Sequence, residues 1–85
     1  MSVAEQFGRN LAYCRKRAGI SQEELSFMAS LHRTEIGMLE RGLRTPQIDT
    51  LIKLAGSLEV DPGDLLDGIV WAPGEARRGR FREEG

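Results

Sequence analysis

Ser21 to Gly42 reads SQEELSFMASLHRTEIGMLERG, and two short helical patterns lie within it, a few residues apart. The first opens at Ser21. Its hydroxyl can accept from an amide of the first turn while Glu24, three residues on, reaches back to the Ser21 amide; this capping box marks a helix start. Leu25, Met28 and Ala29 then fall at helical spacing, the periodicity of a segment with one buried face, and the helix is expected to end near Ser30. The second pattern runs from about His32 to Arg41, with Ile36, Leu39 and Glu40 on one side and Arg33, Thr34, Gly37, Met38 and Arg41 on the other. Gly42 stands where a left-handed residue ends a helix.

Two helices of this length joined by a turn of three or four residues must cross steeply, and Ala29 is small enough to let the second backbone come close. That is helix-turn-helix geometry. Gln22, Leu25, Ala29, Ile36, Leu39, Glu40 and Gly42, followed by Arg44, Pro46, Leu51 and Ala55, resemble the lambda-repressor and Cro-like (XRE) helix-turn-helix domain over roughly residues 3 to 67. The resemblance implies an all-α fold, a five-helix lambda-repressor-like DNA-binding domain.

The flanking sequence supplies the other helices. Ser2 and Glu5 form a second capping box, so a first helix starts at Val3. Val3, Phe7, Leu11, Cys14 and Ala18 define its inner face, and Gly19 stops it. Arg9, Lys16 and Arg17 lie on its outer face, either solvated or touching phosphates. Thr45 and Pro46 supply an N-cap and a first-turn proline for a fourth helix, whose apolar residues are Ile48, Leu51, Ile52, Leu54, Ala55 and Leu58. Asp61, Pro62 and Asp64 open a short fifth helix through Leu65 and Leu66 that stops before Gly68.

Residues 68–85 change character, so the chain divides into a domain over 1–67 and an extension over 68–85. Ile69, Val70 and Trp71 favour a strand and Pro73-Gly74 a turn. Either the extension is a β-hairpin in which Trp71 and Phe81 pack against the domain or a second subunit, or it is a disordered, arginine-bearing arm. The apolar Ile69, Val70, Trp71 and Phe81 favour the hairpin, and an isolated hairpin is marginal, so a partner surface is implied, with the fourth and fifth helices competing against this tail as the dimer interface.

The resemblance also assigns roles. Arg33 and Thr34 match base-reading positions, and Met38, one turn on, matches a third. Arg33 would donate two hydrogen bonds to guanine N7 and O6, worth about 1 to 3 kcal/mol of discrimination, while Thr34 and Met38 would meet a thymine methyl. Gln22 matches a phosphate-contacting glutamine, helped by the partial positive charge of its helix end. Arg41 and Arg44 would hold the opposite flank, and His32, although it departs from the family pattern, could itself touch a phosphate. Arg15 and Glu40 match a largely buried ion pair between the first helix and the reading helix. The sequence departs from the pattern in Leu31 and His32, where small polar capping residues are usual, and in Gly37, which costs a helix about 1 kcal/mol and cannot read a base. Gly37 is explained if the backbone approaches DNA or a neighbour closely. Arg77, Arg78, Arg80 and Arg82 either add a grip on phosphates or balance Glu83 and Glu84.

Composition bounds the alternatives. Eighty-five residues make one small domain, burying only about 60 to 65% of the unfolded chain's surface, which dimerisation would supplement. A lone cysteine and the absence of an apolar leader fit the cytoplasm, with nucleoid association following from DNA binding. No apolar run is long enough for a membrane span. His32 and Cys14 have no catalytic companions, and no metal-ligand cluster exists, so neither an enzyme nor a cofactor is expected. The net charge of −1 implies a dipolar molecule with weak non-specific affinity for nucleic acid. The function expected is a transcriptional regulator, a repressor in the first instance, that binds double-stranded DNA at a near-palindromic operator as a homodimer. The alternative is a protein-binding module, such as an antitoxin or adaptor, built on the same fold.

Overall fold

The first two helices start in the same way. In the computed structural model, which describes residues 1–82, the Ser2 hydroxyl accepts from the Glu5 amide at 3.1 Å and the Glu5 carboxylate accepts from the Ser2 amide at 2.9 Å. Ser21 and Glu24 repeat the exchange at 3.0 and 2.9 Å. Each box satisfies backbone donors that a helix start leaves without partners. The chain then runs α1 (Val3–Arg17), α2 (Gln22–Ala29), α3 (Arg33–Glu40), α4 (Ile48–Leu58), α5 (Pro62–Leu65), β1 (Trp71–Ala72), a 3-10 turn (Glu75–Arg77) and β2 (Arg80–Phe81).

All five helices contribute to one apolar centre. Phe7 and Leu11 enter it from α1, Leu25 and Ala29 from α2, Ile36 and Leu39 from α3, Leu51, Leu54, Ala55 and Leu58 from α4, and Leu65 from α5. Gly8 lets α1 and α3 meet backbone to backbone, since a Cβ there would lie 2.5 Å from the Leu39 carbonyl oxygen. Gly42 ends the helix-turn-helix at φ +71, and a Cβ would also strike Glu5 Cα at 2.8 Å, so left-handed backbone and close approach both require glycine. Between α2 and α3 the turn is Ser30, Leu31 and His32. Ser30 is left-handed at φ 54, and the Leu31 amide donates to the Ser26 carbonyl at 2.9 Å.

The structure corrects several expectations. Met28 and Ala18 are exposed, and the third inward position of α2 belongs to Ser26, whose hydroxyl donates to the Glu23 carbonyl at 2.6 Å and so tolerates burial. α3 is shorter than 32–41 by one residue at each end. α4 begins at Ile48 rather than at Pro46: Gln47 is its extended N-cap, and the orphan Thr50 amide is taken by the Asp49 carboxylate at 2.9 Å, so Thr45 is not needed as a cap. Ile48 and Ile52 do not join the core. They are 75% and 54% exposed on the outer side of α4. Leu66 follows α5 as its C-cap and is exposed.

The C-terminal segment is an antiparallel hairpin with Trp71 opposite Phe81 and Ala72 opposite Arg80. Of its apolar residues only Ile69 packs on the core. Trp71 and Phe81 pack on each other, edge to face, at 5.1 Å and 77°, and remain half exposed, with Phe81 beside Val3 and Gln6 of α1. Val70 is exposed too, and its carbonyl accepts from the Arg82 amide at 2.7 Å. Glu83 and Glu84, weighed above against the nearby arginines, lie outside the described residues.

Candidate nucleic-acid interface

α3 is amphipathic, and its two faces are held apart by what lies behind it. Ile36 and Leu39 are fully buried, fixing the inner side. On the outer side Arg33, Gly37 and Arg41 follow one another a turn apart, with Thr34 beside them. Together with Gln22, from the first turn of α2, they line a shallow open notch. Arg33, Thr34 and Arg41 are exposed. Met38 stands apart from this strip: it is half-buried on the shoulder of the helix, and its carbonyl accepts from the Leu43 amide at 3.1 Å.

One carboxylate sets the position of α3. Glu40 Oε2 accepts from Arg15 Nε at 2.6 Å and Glu40 Oε1 from Arg15 Nη2 at 3.0 Å, while Arg15 Nη1 donates to the Ile20 carbonyl at 2.9 Å. Both side chains are nearly buried, at 12% and 8% exposure. The hydrogen bond to Glu40 pushes the Arg15 guanidinium above its ordinary value, so the charge on it is permanent. Glu40 Oε1 also accepts from Gln22 Nε2 at 3.0 Å. Three elements, α1, α2 and α3, therefore meet on one residue. Gln22 has one amide hydrogen committed to Glu40, leaving its second hydrogen and its oxygen for an external group.

The other candidates are placed less uniformly. His32 is the N-cap of α3 but makes no side-chain cap bond, and it is exposed. Arg41 folds back, its Nε donating to the Gly37 carbonyl at 3.2 Å. Arg44, on the loop after α3, is paired with Glu35, so a phosphate would have to compete with that carboxylate. Sequence periodicity does not disclose this pair, since an acidic residue on the shoulder of α3 looks like any solvated charge. Nor does it disclose Asn10, whose amide donates to the carbonyls of Leu65 and Asp67 at 3.0 and 2.8 Å and ties the end of α5 to α1. Phe27, 80% exposed on α2, lies beside His32 and Arg33 at a second depression.

Chemically the strip offers guanidinium donors, a hydroxyl and a bare stretch of backbone on a single helix, which is narrow enough to enter a major groove whose base edges present acceptors and methyl groups. Among the described residues no group of three or more His, Cys, Asp or Glu side chains is arranged to hold a metal ion, and no helix is long and apolar enough to cross a membrane. Burial pushes the Cys14 thiol up, with the Asp64 carboxylate adding to the effect, which disfavours its nucleophilic form.

Comparison with known proteins adds to this geometry. A helix-turn-helix family model matches residues 11–65. The control protein C.BamHI of Bacillus amyloliquefaciens is 42% identical over 62 residues, covering 72% of this chain and 76% of that protein. The restriction-modification controller protein C.AhdI of Aeromonas hydrophila superposes with a TM-score of 0.71 at 37% identity, covering 73% of this chain and 94% of its own. The P22 c2 repressor, solved in complex with a synthetic operator, superposes with a TM-score of 0.68 at 29% identity, over 73% of this chain and 94% of its own.

Proposed function

The chain belongs to the helix-turn-helix family of lambda-repressor-like DNA-binding transcription regulators, and from that premise we propose that it acts as a homodimer that sets α3 of each subunit into successive major grooves of a near-palindromic operator and represses by occupying it. The observation that carries this reading is the outward strip of Arg33, Thr34, Gly37 and Arg41, braced from behind by the Arg15–Glu40–Gln22 lattice. Arg33 reads a guanine with its paired donors and Thr34 meets the neighbouring base edge; Met38, on the shoulder, reaches a base only at the margin of the groove. Gln22, His32, Arg41 and Arg44 hold phosphates on either side, Arg44 by exchanging Glu35 for an anionic oxygen. A cytoplasmic setting, with the protein on the nucleoid, follows from that role.

Selection of binding sites from a random DNA pool tests the proposal. The expected product is an inverted repeat with half-site centres about 34 to 36 Å apart, the spacing of two grooves on one face of the duplex. Arg33→Ala should relax the preference at one base pair of each half-site. If no sequence is enriched at low salt and a pull-down from the native host returns one stoichiometric protein, the fold serves as a protein-binding module instead.

A further inference from the structure

We propose that Gly37 determines specificity: its bare backbone forms a notch in the middle of α3 that receives the C5 methyl of a thymine. This rests on the DNA-binding reading above and specifies which base edge meets the centre of the helix.

Gly37 lies inside α3, where glycine weakens a helix relative to alanine. The fold offers no reason for it. Its φ is not among the left-handed ones, and a Cβ at this position would meet only Gln22 Oε1, at 3.9 Å, an ordinary contact. Gly8 differs, since a Cβ there would collide with the α3 backbone at 2.5 Å. Gly56 and Gly63 also have open space, but they lie on α4 and α5 and not on the outward strip of α3. The reason for Gly37 is therefore outside the chain.

The surroundings of the notch indicate what enters it. Arg33 and Arg41 stand one turn to either side, Thr34 lies alongside, and Gln22 faces across. The rim carries N–H donors, a hydroxyl and the Gln22 Oε1 acceptor, while the floor is Cα and helical backbone whose amides are already bonded within the helix. The Gly37 carbonyl itself is covered by Arg41 Nε at 3.2 Å. Such a site suits an apolar group that carries an acceptor next to it. In the major groove thymine presents a C5 methyl beside the O4 acceptor, whereas guanine, adenine and cytosine have no apolar group to fill the notch. Omitting the Cβ also lets the helix axis move closer to the groove floor, so that Arg33 and Arg41 reach the duplex together.

The experiment begins with the operator selected by the wild-type chain. Deoxyuridine then replaces thymidine at each position beneath α3, one at a time. At one of these the wild type should bind about fourfold more weakly, the effect of one methyl group returned to water. Gly37→Ala should melt above the wild type, bind the thymine operator roughly tenfold more weakly because its Cβ overpacks the contact, and show no further loss with uracil at that position. Equal affinity of the two proteins for the thymine operator, or an equal uracil penalty in both, overturns the proposal. So does a lower melting temperature of Gly37→Ala, which would show that the fold itself requires the glycine. Failure of the wild type to enrich any sequence would instead remove the DNA-binding reading, and this inference with it.

Discussion

At the scale of single residues, Glu40 has the most consequences, because three donors from two other elements converge on its two oxygens. A nearly buried ion pair contributes little net stability, since desolvation offsets the attraction, but removing one partner strands a charge. Arg15→Ala or Glu40→Ala should therefore lower unfolding stability by about 3 to 5 kcal/mol, whereas replacing Arg15 with Met and Glu40 with Leu together should be near neutral. Urea denaturation measures both. The double variant should nevertheless lose operator affinity, because the guanidinium fork and the Gln22 contact fix how α3 is presented; unchanged affinity would show that packing alone positions the helix. Legibility at this scale follows sequence distance. The capping boxes at Ser2 and Ser21 can be read directly because their partners are three residues apart. The partners in the Arg15–Glu40 bond are 25 residues apart, a separation that only the resemblance bridges, and nothing in the pattern announces that Gln22 shares the carboxylate.

Elements were legible where polar and apolar residues alternate with helical period, and least so where backbone chemistry chose a boundary. The spacing of Leu25, Met28 and Ala29 picks the right helix and turns it slightly wrongly, because a serine that satisfies its own hydroxyl is invisible to a hydrophobic pattern. Thr45-Pro46 looks like a helix start, yet the Asp49 carboxylate satisfies the first-turn amide from inside the helix. In the tail the apolar content foretells a hairpin but not which of its residues face each other. Trp71 rests on Phe81 and on Gly79, where a Cβ would fall 2.3 Å from the indole. An edge-to-face aromatic pair is worth about 0.5 to 1.5 kcal/mol beyond its burial, enough to matter for two short strands that are marginal alone. Trp71→Ala should therefore open the hairpin, seen as faster hydrogen exchange of the Arg82 amide, while the stability of the helical part changes by less than about 0.5 kcal/mol. A large fall in that stability would mean that the aromatic pair supports the core.

For the whole molecule, the question is what covers the apolar surface that one chain leaves in water. The net charge of −1 gives little general attraction to phosphate, and two arginines near α3 are already engaged by carboxylates, so a lone subunit would grip DNA weakly. In the proposed homodimer, two coupled subunits would remedy this by making the second contact intramolecular. The hairpin aromatics have each other, whereas Ile48 and Ile52, one turn apart on α4, are 75% and 54% exposed. Covering each would gain about 1.5 to 3 kcal/mol at most, which makes α4 the better surface for a second copy. In a two-fold interface the same residue is presented from both sides, so Ile52→Asp would oppose like charges as well as remove an apolar contact. Sedimentation should then show Ile52→Asp as a monomer with a greatly weakened, sequence-independent shift of DNA, and Trp71→Ala as a dimer. If Trp71→Ala dissociates while Ile52→Asp stays dimeric, the subunits meet through the hairpin, and α4 faces solvent in the assembled regulator.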